Sequence, residues 1–366
     1  MANSMKSSTI RKAQVPVSCY FCKGQEIIWK CEDCNVRMCN ACKVTVHQDL
    51  QSAQDHEVVS VKDMSKSPHS SQEVTSEVIS SVFNSYTTTV PNIHTLHCSD
   101  DDLLYFTYCV GTSKDQFVKG KLLKSSIKIL QTVNRTIFDI AIKSDGEILF
   151  TEGDVNKVQL LSPLGAVETV LDTFPMNPLA IHVNKDNEVI VGLREQGPPF
   201  PVHNFSIRQV LIFGNDYLRK NILEIDKKGN KLFSYISSIR TDSRNVVYVI
   251  DCVDNEDNGR VVAVDRNGSL KFIYNGQKDL ETFKPESITV TPSDNIVVLD
   301  AENGSLHVLN PKGYLLGHQF ISKDLSIANP NSLCIDSEGY LLIGCGHGEK
   351  DYNGNIHVVK MADSLM

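Results

Sequence analysis

From residue 85 onward the chain repeats one pattern: an apolar run, a turn of Asp or Ser with Gly or Asn, a second apolar run, a loop, a third apolar run and often a fourth. Ile137–Ile142, the turn Ser144-Asp145-Gly146, Ile148–Glu152, Val158–Leu161 and Pro163-Leu164-Gly165 make one copy. Ser287–Val290, Ser293-Asp294-Asn295, Ile296–Asp300, Leu306–Leu309 and Pro311-Lys312-Gly313 make another. Val, Ile, Leu and Tyr fill the runs, which suits buried, pleated sheet. Asp-Gly or Asp-Asn between runs supplies the positive φ of tight hairpins. The turn positions Asp102, Gly146, Asn187, Asn245, Asn295 and Gly339 are 44, 41, 58, 50 and 44 residues apart. A period of about 40–50 residues with several short strands per unit predicts an all-β fold, a β-propeller, and six turns predict six blades. No segment between the runs has helical periodicity at useful length, which excludes a parallel α/β sheet.

The sixth copy supplies three strands, near Ser332–Ile335, Tyr340–Gly344 and Asn355–Lys360, and lacks a fourth. The β-prone run Tyr86–Val90 precedes the first copy, and we expect it to close the ring as the outer strand of the last blade. The propeller is therefore placed at 85–366. Residues 63–84 are Ser-rich and read as a flexible linker. Val74, Val78, Ile79 and Val82 suffice for a turn or two of amphipathic helix, short of the sustained heptads of a coiled coil. Residues 1–17 are small and polar and are expected to be disordered. The longest turn spacing comes from an insertion, Arg194–Gln209, stiffened by Pro198, Pro199 and Pro201. Loop elongation is its first reading and partner contact its second.

Composition adds a compartment. At 22% charged and 41% hydrophobic residues the chain reads as soluble globular protein. The N-terminal residues carry no apolar stretch after their basic residues, and no run reaches the length of a bilayer span. A reducing, cytoplasmic setting is expected, in which clustered cysteines bind metal rather than form disulfides. Net charge is +2 over residues 1–62, −2 over 63–90 and −8 over 91–366. The acidic propeller disfavours RNA as a partner.

The chemistry is concentrated between residues 18 and 62. Cys19-x2-Cys22, eight residues, Cys31-x2-Cys34, four residues, Cys39-x2-Cys42, four residues, His47, eight residues and His56 place eight ligands within 38 residues. Two residues between cysteines let both thiolates face one ion, and eight ligands complete two tetrahedral zinc sites. Sites filled by side chains leave no position for a catalytic water, so both zinc ions are expected to be structural. A domain of this size cannot build enough core alone and depends on metal. Trp29 reads as core of this module.

The ligand order and the closing segment His56–Val61 resemble the B-box zinc finger of tripartite-motif proteins. The resemblance implies a cross-brace, with Cys19, Cys22, Cys39 and Cys42 on one ion and Cys31, Cys34, His47 and His56 on the other. Cys22 at the second position and the long gap before His56 lean toward the all-cysteine variant, with Asp55 as the alternative last ligand. The repeats resemble the NHL-type propeller that ends some proteins of that family. Only 18 residues precede Cys19, so neither a RING finger nor its ubiquitin-ligase activity is expected. Without a coiled coil the oligomeric state is open.

Other residues invite catalytic readings that the pattern does not favour. Gly344-Cys345-Gly346-His347-Gly348 lacks a dinucleotide-binding spacing and reads as a hairpin. Cys98, Cys109, Cys252, Cys334 and Cys345 lie in or beside apolar runs and read as inert thiols. His94, His97, His182, His307 and His357 read as isolated core or channel residues. Asp251, Asp254, Glu256, Asp257 and Asp265 read as a solvated loop. The expected function is a zinc-binding adaptor or scaffold, not an enzyme, that joins protein partners in ubiquitin-linked or innate-immune regulation. The alternatives are RNA-binding regulation through the propeller face and an accessory role in a ubiquitin ligase.

Overall fold

The computed structural model describes residues 18–24, 27–31, 36–47, 49, 56, 58–61, 74–99, 103–109, 115–153, 155–162, 165–347 and 353–366. Two units divide the chain, Met1–Gln72 and Glu73–Met366.

In the first unit three short strands form an antiparallel sheet with β1 (Trp29–Cys31) between β2 (Val36–Met38) and β3 (Val58–Ser60). Trp29 pairs with Met38 and with Ser60, and Cys31 pairs with Val36 and with Val58. A helical turn, α1 (Asn40–Cys42), follows β2 and widens over Lys43–His47. Buried Cys19, Cys31, Met38 and Cys42 form the centre, with Phe21, Trp29, Val46 and Val58 packed against it. Most of the buried side chains in this core are thiols.

The second unit is a six-bladed propeller of four-stranded antiparallel sheets. Blades 1 to 5 span 95–133, 137–172, 177–223, 235–274 and 285–319. Blade 6 combines β25 (Pro330–Ile335), β26 (Leu341–Cys345) and β27 (Asn355–Met361) with β4 (Ile79–Thr87) as its outer strand. The first strand of each blade lines the axis against its neighbours; β9 (Ile137–Ile142), β17 (Tyr235–Thr241) and β21 (Pro285–Val290) matter below. Middle strands are buried on both faces, as in the wholly buried β26, and apolar layers seal the blades together. Between blades 4 and 5, for example, Tyr248, Val261, Ile288 and Val298 share one cluster.

The first turn of each copy does two jobs. Gly146, Asn187, Asn245 and Gly339 have φ of 83°, 57°, 60° and 86°, the left-handed region that favours Gly and Asn. In blade 5 the positive φ of 67° falls on Asp294, one residue before the expected Asn295. The turns also join neighbouring blades: Asn187 Oδ1 accepts from Ser144 N–H, Asn184 Nδ2 donates to Asn245 Oδ1 at 3.0 Å, and Ser243 donates to both oxygens of Asp294. The expected turn at Asp102, residues 1–17 and residues 63–73 of the expected linker lie outside the described residues.

Ring closure comes from the expected place but starts earlier. β4 pairs with β27 from Thr87 opposite Asn355 to Ile79 opposite Met361. Residues 79–84, read from sequence as linker, are therefore sheet. Ile79 and Val82 lie on a strand rather than a helical turn.

Candidate metal centre and axial cavity

Four thiols converge in the first unit. The turn after Cys19 is closed by Lys23 N–H donating to the Cys19 carbonyl, with Lys23 at φ 60°. The second knuckle lies where β2 passes into α1, so Cys39 precedes the turn and Cys42 ends it. Backbone N–H groups of Cys39 and Cys42 point at the sulfurs of Cys19 and Cys39, at 3.4 and 3.5 Å. The ligand atoms of Cys19, Cys22, Cys39 and Cys42 all lie within 4.8 Å of one another, and the Cys22 and Cys39 sulfurs are 3.8 Å apart. A tetrahedral zinc site with Zn–S near 2.3 Å has an S···S edge of about 3.8 Å, so the four residues fit zinc.

Electrostatics give the same reading. Burial drives the Cys19 thiol up, but N–H groups of Cys22, Cys39 and Phe21 bring it down to about 6. Cys42 is pushed up to about 12, by burial first and then by the crowding sulfurs of Cys39, Cys22 and Cys19. Four thiols at this spacing cannot all ionise beside one another; a divalent cation removes that conflict.

A second group joins Cys31, His47 and His56, again with ligand atoms within 4.8 Å. The Cys31 sulfur is 3.7 Å from His56 Nδ1, close to the edge of about 3.6 Å expected between S and N ligands of one zinc. Cys34 and Asp55, the expected fourth ligand and the alternative to His56, lie outside the described residues. Trp29 packs against the module core, donates Nε1–H to Asn40 Oδ1 at 3.0 Å and carries Lys43 Nζ 3.4 Å from its ring centre.

In the propeller, two of the residues read as isolated histidines have partners from other blades: His182 Nε2 lies 2.9 Å from Thr241 Oγ1, and His307 belongs to a cluster, while His357 Nδ1 meets Ser85 Oγ within blade 6. His307 is wholly buried: Tyr274 O–H meets its Nδ1 at 2.7 Å, and Ser305 Oγ lies 3.2 Å from its Nε2. His318 joins through Ser305 Oγ at 3.3 Å, and Asp300 Oδ2 is 3.8 Å from His307 Nε2. Ser and Asp thus share one ring nitrogen, whereas a catalytic relay needs them on opposite nitrogens beside an open site. The cluster ties blade 4 to blade 5.

The carboxylates read as one solvated loop divide as well. Asp251 is wholly buried and accepts from Ser234 N–H, Tyr235 N–H and Arg260 Nε. Asp254 and Asp265 accept the N–H groups of their own turns, while Asp257 faces a cavity. The thiols Cys252 and Cys345 are buried and pushed up to about 12, and Cys334 is raised well above the usual thiol value, all by burial first. Inert thiols have these values.

That cavity, of about 350 Å³, lies on the axis. Asp139, Tyr235, Arg240, Asp257 and Glu286 face it, and His97 and His182 lie beside Arg240. Sequence reading named neither Asp139 nor Arg240. Among the described residues, both groups that could hold a metal belong to the first unit, and none lies in this cavity.

Groups whose charge is disfavoured by burial make stability depend on pH. Burial first, then the Arg240 charge, holds the His182 imidazole down at about 3. Burial first, then His307, holds His318 down at about 4. The unfolded histidines keep their ordinary 6.5, so their contribution is full above that value and is lost as pH falls toward 4 and then 3. Asp139 opposes them: burial raises it from 3.8 to about 6, so its contribution is full below 3.8 and lost as pH rises through 6. His97 and His357 are lowered in the same sense as these histidines, while Asp251, Glu286 and Asp336 are raised like Asp139. Between pH 6.5 and 4 the urea midpoint of Asp139→Asn is expected to fall relative to that of the unsubstituted chain, because the variant lacks the opposing proton uptake. Midpoints that run parallel across this window contradict the assignment.

Residues 14–61 match the model of the B-box zinc finger family. No curated protein matches the chain. Among solved structures, a gluconolactonase from Xanthomonas campestris is similar at 11% identity, with 74% of this chain and 87% of that chain covered and a TM-score of 0.53. A luciferin-regenerating enzyme is similar at 14% identity, covering 74% and 92%, with a TM-score of 0.54. Virginiamycin B lyase from Staphylococcus aureus is similar at 14% identity, covering 76% and 99%, with a TM-score of 0.50. Likeness at these identities shows the propeller fold alone. Among the described residues no helix is long and apolar enough to cross a membrane. The B-box finger and the six-bladed propeller make this chain a zinc-binding protein-interaction module.

Proposed function

We propose that the chain is a non-enzymatic adaptor of the tripartite-motif type, with two structural zinc ions in its B-box and an NHL-like propeller that docks a protein partner. The carrying observation is a set of exposed aromatic side chains on one propeller face. Phe138, Phe174 and Phe205 are 45%, 74% and 81% exposed. Phe138 stands at the start of β9, Phe174 in the link from blade 2 to blade 3, and Phe205 in the insertion. In antiparallel blades these positions share the face on which the axial strands begin, where Tyr235 and Glu286 edge the cavity. Large exposed aromatics grouped on a rigid scaffold mark protein contact. The insertion is held for this: Arg208, 2% exposed, pairs with Glu195 at 3.0 Å and donates to the Pro199 carbonyl at 2.7 Å.

A zinc ion held by Cys19, Cys22, Cys39 and Cys42 would have no open position, which supports docking over chemistry. A cytoplasmic role in ubiquitin-linked or innate-immune regulation rests on the resemblance of the ligand pattern to B-boxes. RNA fits less well, because the mouth of the cavity carries Asp257 and Glu286 on an already acidic propeller.

The full chain carrying Phe138→Ser, Phe174→Ser and Phe205→Ser should stay folded, since exposed substitutions cost little. It is expected to lose its propeller-dependent partners several-fold in quantitative affinity capture, with zinc content unchanged. An unchanged partner set removes this face from consideration. Ubiquitin chains formed by the purified chain with activating and conjugating enzymes alone would overturn the non-enzymatic reading.

A further inference from the structure

The axial cavity is built with opposite charges at its two ends. Its inner end holds Arg240, near the end of β17. Among the described residues the guanidinium makes one hydrogen bond, from Nη1 to the Ile239 carbonyl at 2.7 Å. Four of its five N–H donors remain for a ligand. The nearby Asp139 acts on it through its charge without forming an ion pair: Asp139 Oδ1 accepts from Ile140 N–H and Oδ2 from Ile181 N–H, both at 2.9 Å. His97 and His182 lie within reach of the Arg240 charge, and burial and that charge keep both uncharged. Among the described residues a permanent cation thus faces the cavity without a direct ion pair of its own.

The outer end is acidic. Glu286 is the second residue of β21, and Asp257 stands in the loop that follows the second strand of blade 4. Among the described residues neither carboxylate has an ion-pair partner, and the Asp257 charge adds to burial in raising Glu286. Tyr235 and Arg240 are five residues apart on β17, or roughly 16 Å of strand at about 3.3 Å per residue. A bulge between Ile236 and Ser238 and the inward reach of both side chains shorten the gap. The cavity volume of about 350 Å³ is at the small end of ligand pockets, which suits one small molecule.

We propose that this cavity binds a small zwitterion end-on, its carboxylate forked on the Arg240 guanidinium and its ammonium facing Asp257 and Glu286. Planar bidentate pairing favours a carboxylate at Arg240 over a spherical anion. The acidic mouth favours an amine at the other end over a second acid. The site shares Phe138 with the aromatic face, whereas Phe174 and Phe205 do not line it.

Calorimetric titration of the full chain with ε-aminohexanoate, hexanoate and hexylamine tests the arrangement with probes of one length and three charge patterns. The zwitterion is expected to bind at least tenfold more tightly than either single-ended probe. Arg240→Gln is expected to abolish that preference, and Arg240→Lys, which keeps the charge without the fork, to restore it in part. Glu286→Gln at the mouth is expected to bring the zwitterion down to the level of hexanoate. This variant carries the test if substitution of Arg240 unfolds the ring. The proposal fails if hexylamine binds as well as the zwitterion, if Arg240→Gln or Glu286→Gln leaves the preference intact, or if no probe binds at millimolar concentration.

Discussion

Chelation is expected to unfold the B-box and leave the propeller standing. Cys19, Cys31, Met38 and Cys42 are the buried centre of the module, and three of them sit in the two ligand groups. Its strands are three residues each and cannot hold one another without that centre. Structural zinc contributes on the order of 10 kcal/mol in small domains of this kind, more than so small a core provides. The chain supplies its own reporter, because Trp29 is the only tryptophan. Its indole is fixed by Asn40 and covered by Lys43, so its emission should change when the sheet and α1 come apart. Far-ultraviolet dichroism and the main thermal transition, both dominated by propeller strands, should hardly move. Two zinc ions per chain are expected before chelation. Cys39→Ser should abolish one of them and reproduce much of the Trp29 change, whereas Cys252→Ser should affect neither. Loss of the propeller transition together with the Trp29 signal, or a metal content of one or none, would contradict this account.

Seven of the eight expected ligands, all but Cys34, come together in two groups, and they were legible because spacing within one short segment carries their geometry. Cys-x2-Cys constrains two sulfurs through a single turn, whatever the rest of the fold does. The blades were legible for a similar reason: each is a local meander whose period and turn residues recur. The axial site was hidden because its side chains come from blades far apart in sequence. Counting five residues back from the turn of each copy gives His97, Ala141, His182, Arg240, Val290 and Cys334. Aligned this way, the repeats set one arginine among small, apolar and imidazole side chains on a strand that lines the axis. The same distance concealed the His307 cluster, whose Tyr274 comes from the neighbouring blade.

The start of β4 escaped for a different reason. An outermost strand pairs on one side and buries little, so its alternation is weak. Along Ile79–Thr87 only Ile79 and Tyr86 are buried, and the Ser and Asn between them read as linker composition. What marks this strand is its partners, Asn355–Met361, nearly 280 residues later.

Removal of β4 is expected to destabilise the propeller more than any single substitution on its surface. The strand spans seven paired positions along β27. Upstream, Gln319 Oε1 accepts N–H from both Val78 and Ile79, at 2.9 and 2.8 Å, and Thr75 bridges to Gly317, so the segment holds blade 5 as well as blade 6. Thr88 Oγ1 donates to the Gly354 carbonyl at 2.8 Å, fixing the other end. Burying Val78, Ile79 and Tyr86 contributes roughly 2 kcal/mol each, about 6 kcal/mol together, against a total stability of about 5–15 kcal/mol for a typical domain. Without β4, β27 becomes an edge of unpaired N–H and C=O groups, open to other chains. Two truncations separate this from loss of the B-box. A chain starting at residue 74 should melt where the full chain does. A chain starting at residue 89 should melt far lower or aggregate. Ile79→Ala should fall between them, at a cost of about 2–5 kcal/mol in urea denaturation. Equal melting of the two truncated chains would mean that the ring does not depend on this strand for closure.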